Sequence, residues 1–196
     1  MIRGVAKCGI VVFVLLSACA TQPSPNSQLA PNLSPQTLPE APYFSLTGRL
    51  SIRQNDRLDS VKIVWTRNER EERLKFFTPF GSQLAELVKA VQADGSVAVT
   101  LNNGSQVTRA ASMDDLTEAV LGVALGVDQI ARWVQGVGLV ENRPQEFRLR
   151  DGSVWQVTAE RWQSWQDIYR YAGRLTATKI GDEIALKLVV DEWSAK

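Results

Sequence analysis

Along most of the chain apolar and polar residues alternate with period two, the signature of strands that bury one face. Phe44, Leu46, Leu50 and Ile52 share a face, with Gly48 between them. Val61, Ile63 and Trp65 alternate with Ser60, Lys62 and Thr66, and Leu74 and Phe76 alternate with Lys75 and Phe77. The charge run from Arg67 to Glu72 between them reads as a solvated hairpin turn. Leu84, Glu86 and Val88 then alternate with Ala85, Leu87 and Lys89, followed by Val97, Val99 and Leu101. Asn102-Asn103-Gly104 suits a hairpin turn that needs positive φ, leading into Gln106 to Arg109.

The period then turns helical. Leu116, Ala119, Val120, Val123 and Ala124 follow i, i+3, i+4 spacing, and Ser112 with Asp115 three residues on predicts a capped start. The carboxylates Asp114, Asp115 and Glu118 read as first-turn charges that favour the positive end of the helix dipole. A second helix carries an apolar stripe of Ile130, Trp133, Val134 and Val137, with Asp128 as its predicted cap and Gly136 and Gly138 at its end.

Strands return with Phe147 and Leu149, an Asp151-Gly152 turn, and Val154 to Arg161, where Trp155, Val157 and Ala159 share a face. Tyr169 to Tyr171 and Leu175 to Ile180 precede a Gly181-Asp182 turn. The last strand is the clearest, with Ile184, Leu186, Leu188 and Val190 against Ala185, Lys187, Val189 and Asp191. Trp162 and Trp165 fall in a polar connection, where they are expected to rim a mouth. The count is roughly ten or eleven strands with two helices inserted after the sixth. Short strands joined by tight turns predict a mainly β, antiparallel barrel or sandwich.

The first residues carry a different pattern. Arg3 and Lys7 precede an apolar run from Gly9 to Leu16, too short to span a hydrocarbon core of roughly 30 Å. Leu16-Ser17-Ala18-Cys19 resembles the lipobox of bacterial lipoproteins. That resemblance implies a signal over 1–18 and a lipid-bearing Cys19 at the mature start. Three acyl chains at about 0.8 kcal/mol per buried CH₂ would hold such a protein on a membrane. Ala20, rather than aspartate, follows the cysteine and favours the outer membrane. Residues 19–42 read as a tether, since 20–42 hold six of the eight prolines and one charge, Glu40. Residues 43–196 are the size of one domain.

Composition narrows the chemistry. Loss of Arg3 and Lys7 with the signal leaves 20 basic against 21 acidic residues, hence no basic field for nucleic acid. There is no histidine, and Cys8 and Cys19 are the two cysteines. The domain therefore has no thiol nucleophile, no Ser-His-Asp or Cys-His arrangement and no histidine metal site. No phosphate-binding glycine motif occurs. The expectation is a binding protein without cofactor or metal, not an enzyme; an enzyme of another kind would have to rely on carboxylates or Ser/Lys.

Five segments, in order, resemble the LolB family of outer-membrane lipoprotein receptors. Phe44-Ser45-Leu46-Thr47-Gly48-Arg49-Leu50 is similar to that family's first strand, and Thr78-Pro79-Phe80-Gly81 to its Asn-Pro-Leu-Gly loop. Arg132-Trp133-Val134-Gln135-Gly136 resembles its helix end. Trp155-Gln156-Val157 and Leu186 to Trp193 resemble its last strands. Gly138 stands where the family often has proline. Trp162 to Gly173 lacks prolines expected before the final hairpin.

The resemblance implies a half-open antiparallel β-barrel plugged by two or more helices, whose apolar interior takes the acyl chains of lipoproteins. It also implies that cargo is handed over by the periplasmic carrier LolA and passed to the outer membrane without ATP, with the folded domain, expected to be a monomer, facing the periplasm. The competing reading is a tethered barrel for another apolar ligand, free lipid or glycolipid, with no LolA partner. Candidate cavity residues are Leu46, Leu50, Ile63, Trp65, Phe76, Leu84, Leu186 and Leu188. Proline at the second and glycine at the fourth position of Thr78-Pro79-Phe80-Gly81 favour a turn with Phe80 at its tip. By resemblance, Pro79, Phe80 and Gly81 form a membrane-insertion loop. The alternative is that Phe80 folds back beside Phe76 or Phe77.

Overall fold

The computed structural model describes residues 39–195. The expected signal, Cys19 and most of the tether lie outside them. Ten strands form one antiparallel sheet: β1 (Phe44–Gln54), β2 (Arg57–Arg67), β3 (Glu71–Phe77), β4 (Gln83–Val91), β5 (Val97–Asn102), β6 (Val107–Ala110), β7 (Gln145–Arg148), β8 (Val154–Trp165), β9 (Tyr169–Lys179) and β10 (Ile184–Ala195). Two helices, α1 (Met113–Leu121) and α2 (Val127–Val134), fall between β6 and β7.

The strand order is β6-β5-β4-β3-β2-β1-β10-β9-β8-β7, so the first and last strands pair at the centre and the sheet does not close. Its free edges, β6 and β7, are the strands that flank the helices. α1 packs against β4, β5 and β6, and α2 against β9, so the helical segment covers the opening between the two wings. This is the half-open, plugged architecture, with ten strands. Tyr169 to Tyr171 and Leu175 to Ile180, expected as two pieces, form one strand, β9, which ends at Lys179. β8 runs on to Trp165, so Trp162 and Trp165 belong to a strand rather than a polar connection; both are half-buried against the core.

Period two sets the faces. On β1 every second residue from Phe44 to Ile52 is buried, and the same holds for Val61, Ile63 and Trp65 on β2. Gly48 serves the pairing of the first and last strands. The β1–β10 register shifts between Thr47 and Gly48. A Cβ on Gly48 would sit 2.4 Å from the Val189 carbonyl oxygen, so no larger residue fits without moving backbone.

Capping explains the helices. Ser112 accepts from the Asp115 N–H at 3.1 Å and Asp115 accepts from the Ser112 N–H at 3.1 Å, the predicted capping box. Gly122 ends α1 at φ 75°. Asp128 does not cap α2. The helix begins at Val127 behind Gly126, which has no side chain to offer. Asp114, from the preceding helix, accepts the Val127 N–H at 3.0 Å instead. The Thr117 hydroxyl donates to the Asp114 carbonyl and accepts from the Leu125 N–H, each at 2.9 Å. These bonds tie the α1–α2 connection down from within.

Candidate functional site

The β3–β4 connection presents the most exposed apolar residue. The Gly81 N–H donates to the Thr78 carbonyl at 3.0 Å, closing a four-residue turn around Pro79 and Phe80. The Thr78 N–H donates to the Ser82 carbonyl at 2.8 Å, and the Ser82 N–H donates to the Thr78 hydroxyl at 3.1 Å. Gly81 takes φ 90°, which explains why glycine stands there. The turn is fixed by its own backbone, and the Phe80 ring projects from it, 97% exposed. It does not fold back beside Phe76 or Phe77. Leaving a phenylalanine in water forgoes roughly 1.5–3 kcal/mol of burial.

Seven of the eight cavity candidates meet on the concave face of the central strands. Leu46 pairs with Trp65, Leu50 with Leu188 and Ile52 with Leu186, while Ile63 pairs with Phe76. All seven are buried, in one cluster with Leu116 of α1 and Ile130, Trp133 and Val134 of α2. The protein's own helices thus occupy the space over them. Leu84 is the exception. The β3–β4 register passes from Phe76–Ala85 to Phe77–Gln83 and skips it. Ala85 and Leu87 point inward, and Leu84 stands on the outer face, 43% exposed. It is no part of the interior.

The charge run from Arg67 to Glu72 is not a solvated turn. Only residues 68–70 turn; Arg67 ends β2, and Glu72 lies inward on β3, 5% exposed. The Trp65 indole N–H donates to the Glu72 carboxylate at 3.0 Å, and the Arg67 guanidinium donates to the same oxygen at 2.5 Å. Arg67 also reaches Asp128 at 3.0 Å, and Lys89 lies 3.4 Å from that carboxylate. Asp128 therefore links the first turn of α2 to β2 and β4. Glu72 continues the inward parity of Leu74 and Phe76, a signal that could have exposed its role, since a buried carboxylate needs donors.

The other end of α2 is held by aromatic packing and by the chain entering the domain. Gly136, at φ 80°, ends the helix, and a Cβ there would lie 2.3 Å from the Trp162 ring. Gln135 accepts from the Ala41 N–H at 2.6 Å, and Arg132 lies 3.3 Å from Glu40. Residues 40 and 41, expected within the tether, therefore already touch the domain.

A cavity of about 670 Å³ opens between the α1–α2 connection and the β7–β8 turn. Asp114, Glu118, Arg132, Arg150, Asp151 and Lys179 are among its lining residues, and none of the cavity candidates is. Burial, opposed by the Val127 N–H and helped by the charges of Asp128, Asp115 and Asp151, pushes the Asp114 carboxyl up from its ordinary range. Among the described residues no group of three or more Cys, Asp or Glu side chains is arranged to hold a metal ion.

Known proteins are similar to this chain over nearly its whole length. The family model described as "Outer membrane lipoprotein LolB" matches residues 42–193. A protein named outer-membrane lipoprotein LolB in Tolumonas auensis is 21% identical, covering 94% of this chain and 93% of that protein. One of the same name in Chromohalobacter salexigens is 26% identical over 94% of this chain and 88% of its own length. One in Dechloromonas aromatica is 27% identical over 91% and 92%. Among solved structures, a DUF1329 family protein from Desulfovibrio piger is 8% identical with a TM-score of 0.55, covering 80% of this chain and 86% of that one, a likeness of fold. With its plugged half-open sheet, exposed turn tip and a family match spanning the domain from Ala41's neighbour Pro42 to Trp193, the chain belongs to the outer membrane lipoprotein LolB family.

Proposed function

We propose that this protein stands on the outer membrane through a lipid on Cys19, accepts lipoproteins from a LolA-like periplasmic carrier into its apolar interior, and passes them to the bilayer without ATP. The observation that carries the reading is the apolar concave face of an open sheet covered by two short helices rather than by further strands. A helical cover of this kind, seated by a few side chains, can shift without breaking a strand ladder. Leu46, Leu50, Ile63, Trp65, Phe76, Leu186 and Leu188 would then meet acyl chains in place of α1 and α2. Among the described residues no helix is long and apolar enough to cross a membrane.

The physical need is independent of family. Three acyl chains carry on the order of 40 methylenes, and exposing them to water costs about 30 kcal/mol. Passage from one apolar interior to another avoids that exposure. Burial is non-directional, so one interior serves many cargoes and asks for no catalytic group. Pro79 and Gly81 set the turn, and Phe80 enters the bilayer interface as cargo leaves.

Mixing the unlipidated Cys19→Ala chain with a LolA-like carrier bearing labelled lipoprotein tests the acceptor step. Label moving onto this chain without nucleotide is the expected result. Label remaining on the carrier while free lipid binds the chain would overturn it in favour of a binder of other apolar ligands.

A further inference from the structure

Exposed apolar side chains are concentrated at one end of the sheet. The register brings the β1–β2, β3–β4, β5–β6, β7–β8 and β9–β10 turns to that end. Of eight large apolar side chains exposed among the described residues, five lie there: Leu58, Phe80, Leu84, Val107 and Ile180. Leu58 is 66% and Val107 68% exposed. The other three, Val91, Val97 and Ile168, lie at the opposite turns.

Strand parity puts three of the five on the outer face beside the Phe80 turn. Leu58 pairs with Arg53, opposite in parity to inward Val61 and Ile63. Leu84 shares its parity with Glu86, which pairs with Asn102, which in turn pairs with Val107. Phe77, half-buried, pairs with both Lys62 and Gln83, on the same outer face as Leu84. Exposed Lys62 and Arg109 stand on the same outer face, farther from the turns than Leu58 and Val107.

We propose that Leu58, Leu84 and Val107, with Phe80, form a rim that seats this end of the domain in the interfacial layer of a lipid bilayer. The rim extends the reading of Phe80 as a membrane contact and rests on it. Its layout favours a bilayer over a protein partner. A protein interface needs a contiguous apolar centre, whereas these side chains are single points on separate strands, divided by polar turn residues such as Asn55, Asn103 and Ser105. A flat fluid apolar layer accepts such points independently. Cations on the same outer face as these apolar side chains match the interfacial arrangement, with side-chain stems along the apolar surface and charges among anionic headgroups. The β-bulge at Leu84 turns an apolar side chain outward next to the turn that exposes Phe80.

The test is depth measurement on the acylated chain in phosphatidylethanolamine–phosphatidylglycerol vesicles carrying lipid-attached nitroxide. Single bimane labels go at Leu58→Cys, Phe80→Cys, Leu84→Cys or Val107→Cys, with Val91→Cys, Val97→Cys and Ile168→Cys as controls. All seven positions are exposed, so substitution leaves the core intact. Quenching at positions 58, 84 and 107 at least about twofold above the controls, with 80 the deepest, is expected. Quenching at 80 alone would overturn the rim and leave the turn-tip reading standing. No quenching at 80 would overturn that reading and the rim with it. Equal quenching at both ends of the sheet would overturn the rim as an oriented contact.

Discussion

Phe76 and Phe80 lie four residues apart in one hairpin and meet opposite environments. Phe76 is an inward position of β3, paired across β2 with Ile63 and fully buried. Phe80 sits at a turn closed by backbone bonds and by the Thr78 hydroxyl, and its ring contributes nothing to that closure. The β9–β10 connection places Gly181 at φ 89° just as Gly81 stands at φ 90°, with Ile180-Gly181 where β3–β4 carries Phe80-Gly81. Tight turns at this end of the sheet therefore do not require an aromatic tip. Burial explains Phe76, whereas Phe80 adds nothing to the folded core.

Substitutions separate the two. Phe76→Ala should destabilise the domain by about 3–5 kcal/mol, because it removes a buried ring and leaves a cavity; chemical denaturation reads this directly. Glu72→Ala should cost about 2 kcal/mol, since the Trp65 indole loses its acceptor and Arg67 keeps exposed Asp128 as its ionic partner. A loss there below about 0.5 kcal/mol would mean that the network does not seat β2 and β3 as described. Asp114→Asn should have the smallest effect and a defined sign. The raised carboxyl of Asp114 disfavours the charged form in the fold, so the cost is absent at low pH and appears as pH rises through the carboxylate range. The amide oxygen still accepts the Val127 N–H. The variant should match the parent near about pH 3 and gain up to about 0.5 kcal/mol near about pH 7; a loss at neutral pH would contradict the assignment.

Alternation made the inward faces of β1, β2, β3 and β10 legible, because each carries apolar residues on one parity and polar ones on the other. β4 has apolar residues on both parities, Leu84 and Val88 against Ala85 and Leu87, and a bulge skips Leu84, so its inward face could not be read from period alone. Asp128 has the composition of a cap, yet the helix starts one residue before it and is capped from α1 by Asp114, a tertiary contact with no local signature. In β8, Arg161 takes φ 57° and interrupts the alternation opposite Gly173, which hides Trp162 and Trp165 among polar neighbours. The turn around Phe80 was legible because proline and glycine fix its geometry within four residues.

The proposed delivery of cargo to the bilayer and the proposed rim both depend on Phe80 acting at a membrane, and one variant isolates that step. Phe80→Glu alters an exposed side chain outside the core, so stability should stay within about 0.5 kcal/mol of the parent. With a loaded carrier and vesicles, the acylated variant should take labelled lipoprotein as the parent does and fail to deliver it to the bilayer, leaving label on the protein. Delivery at the parent's rate would contradict the account.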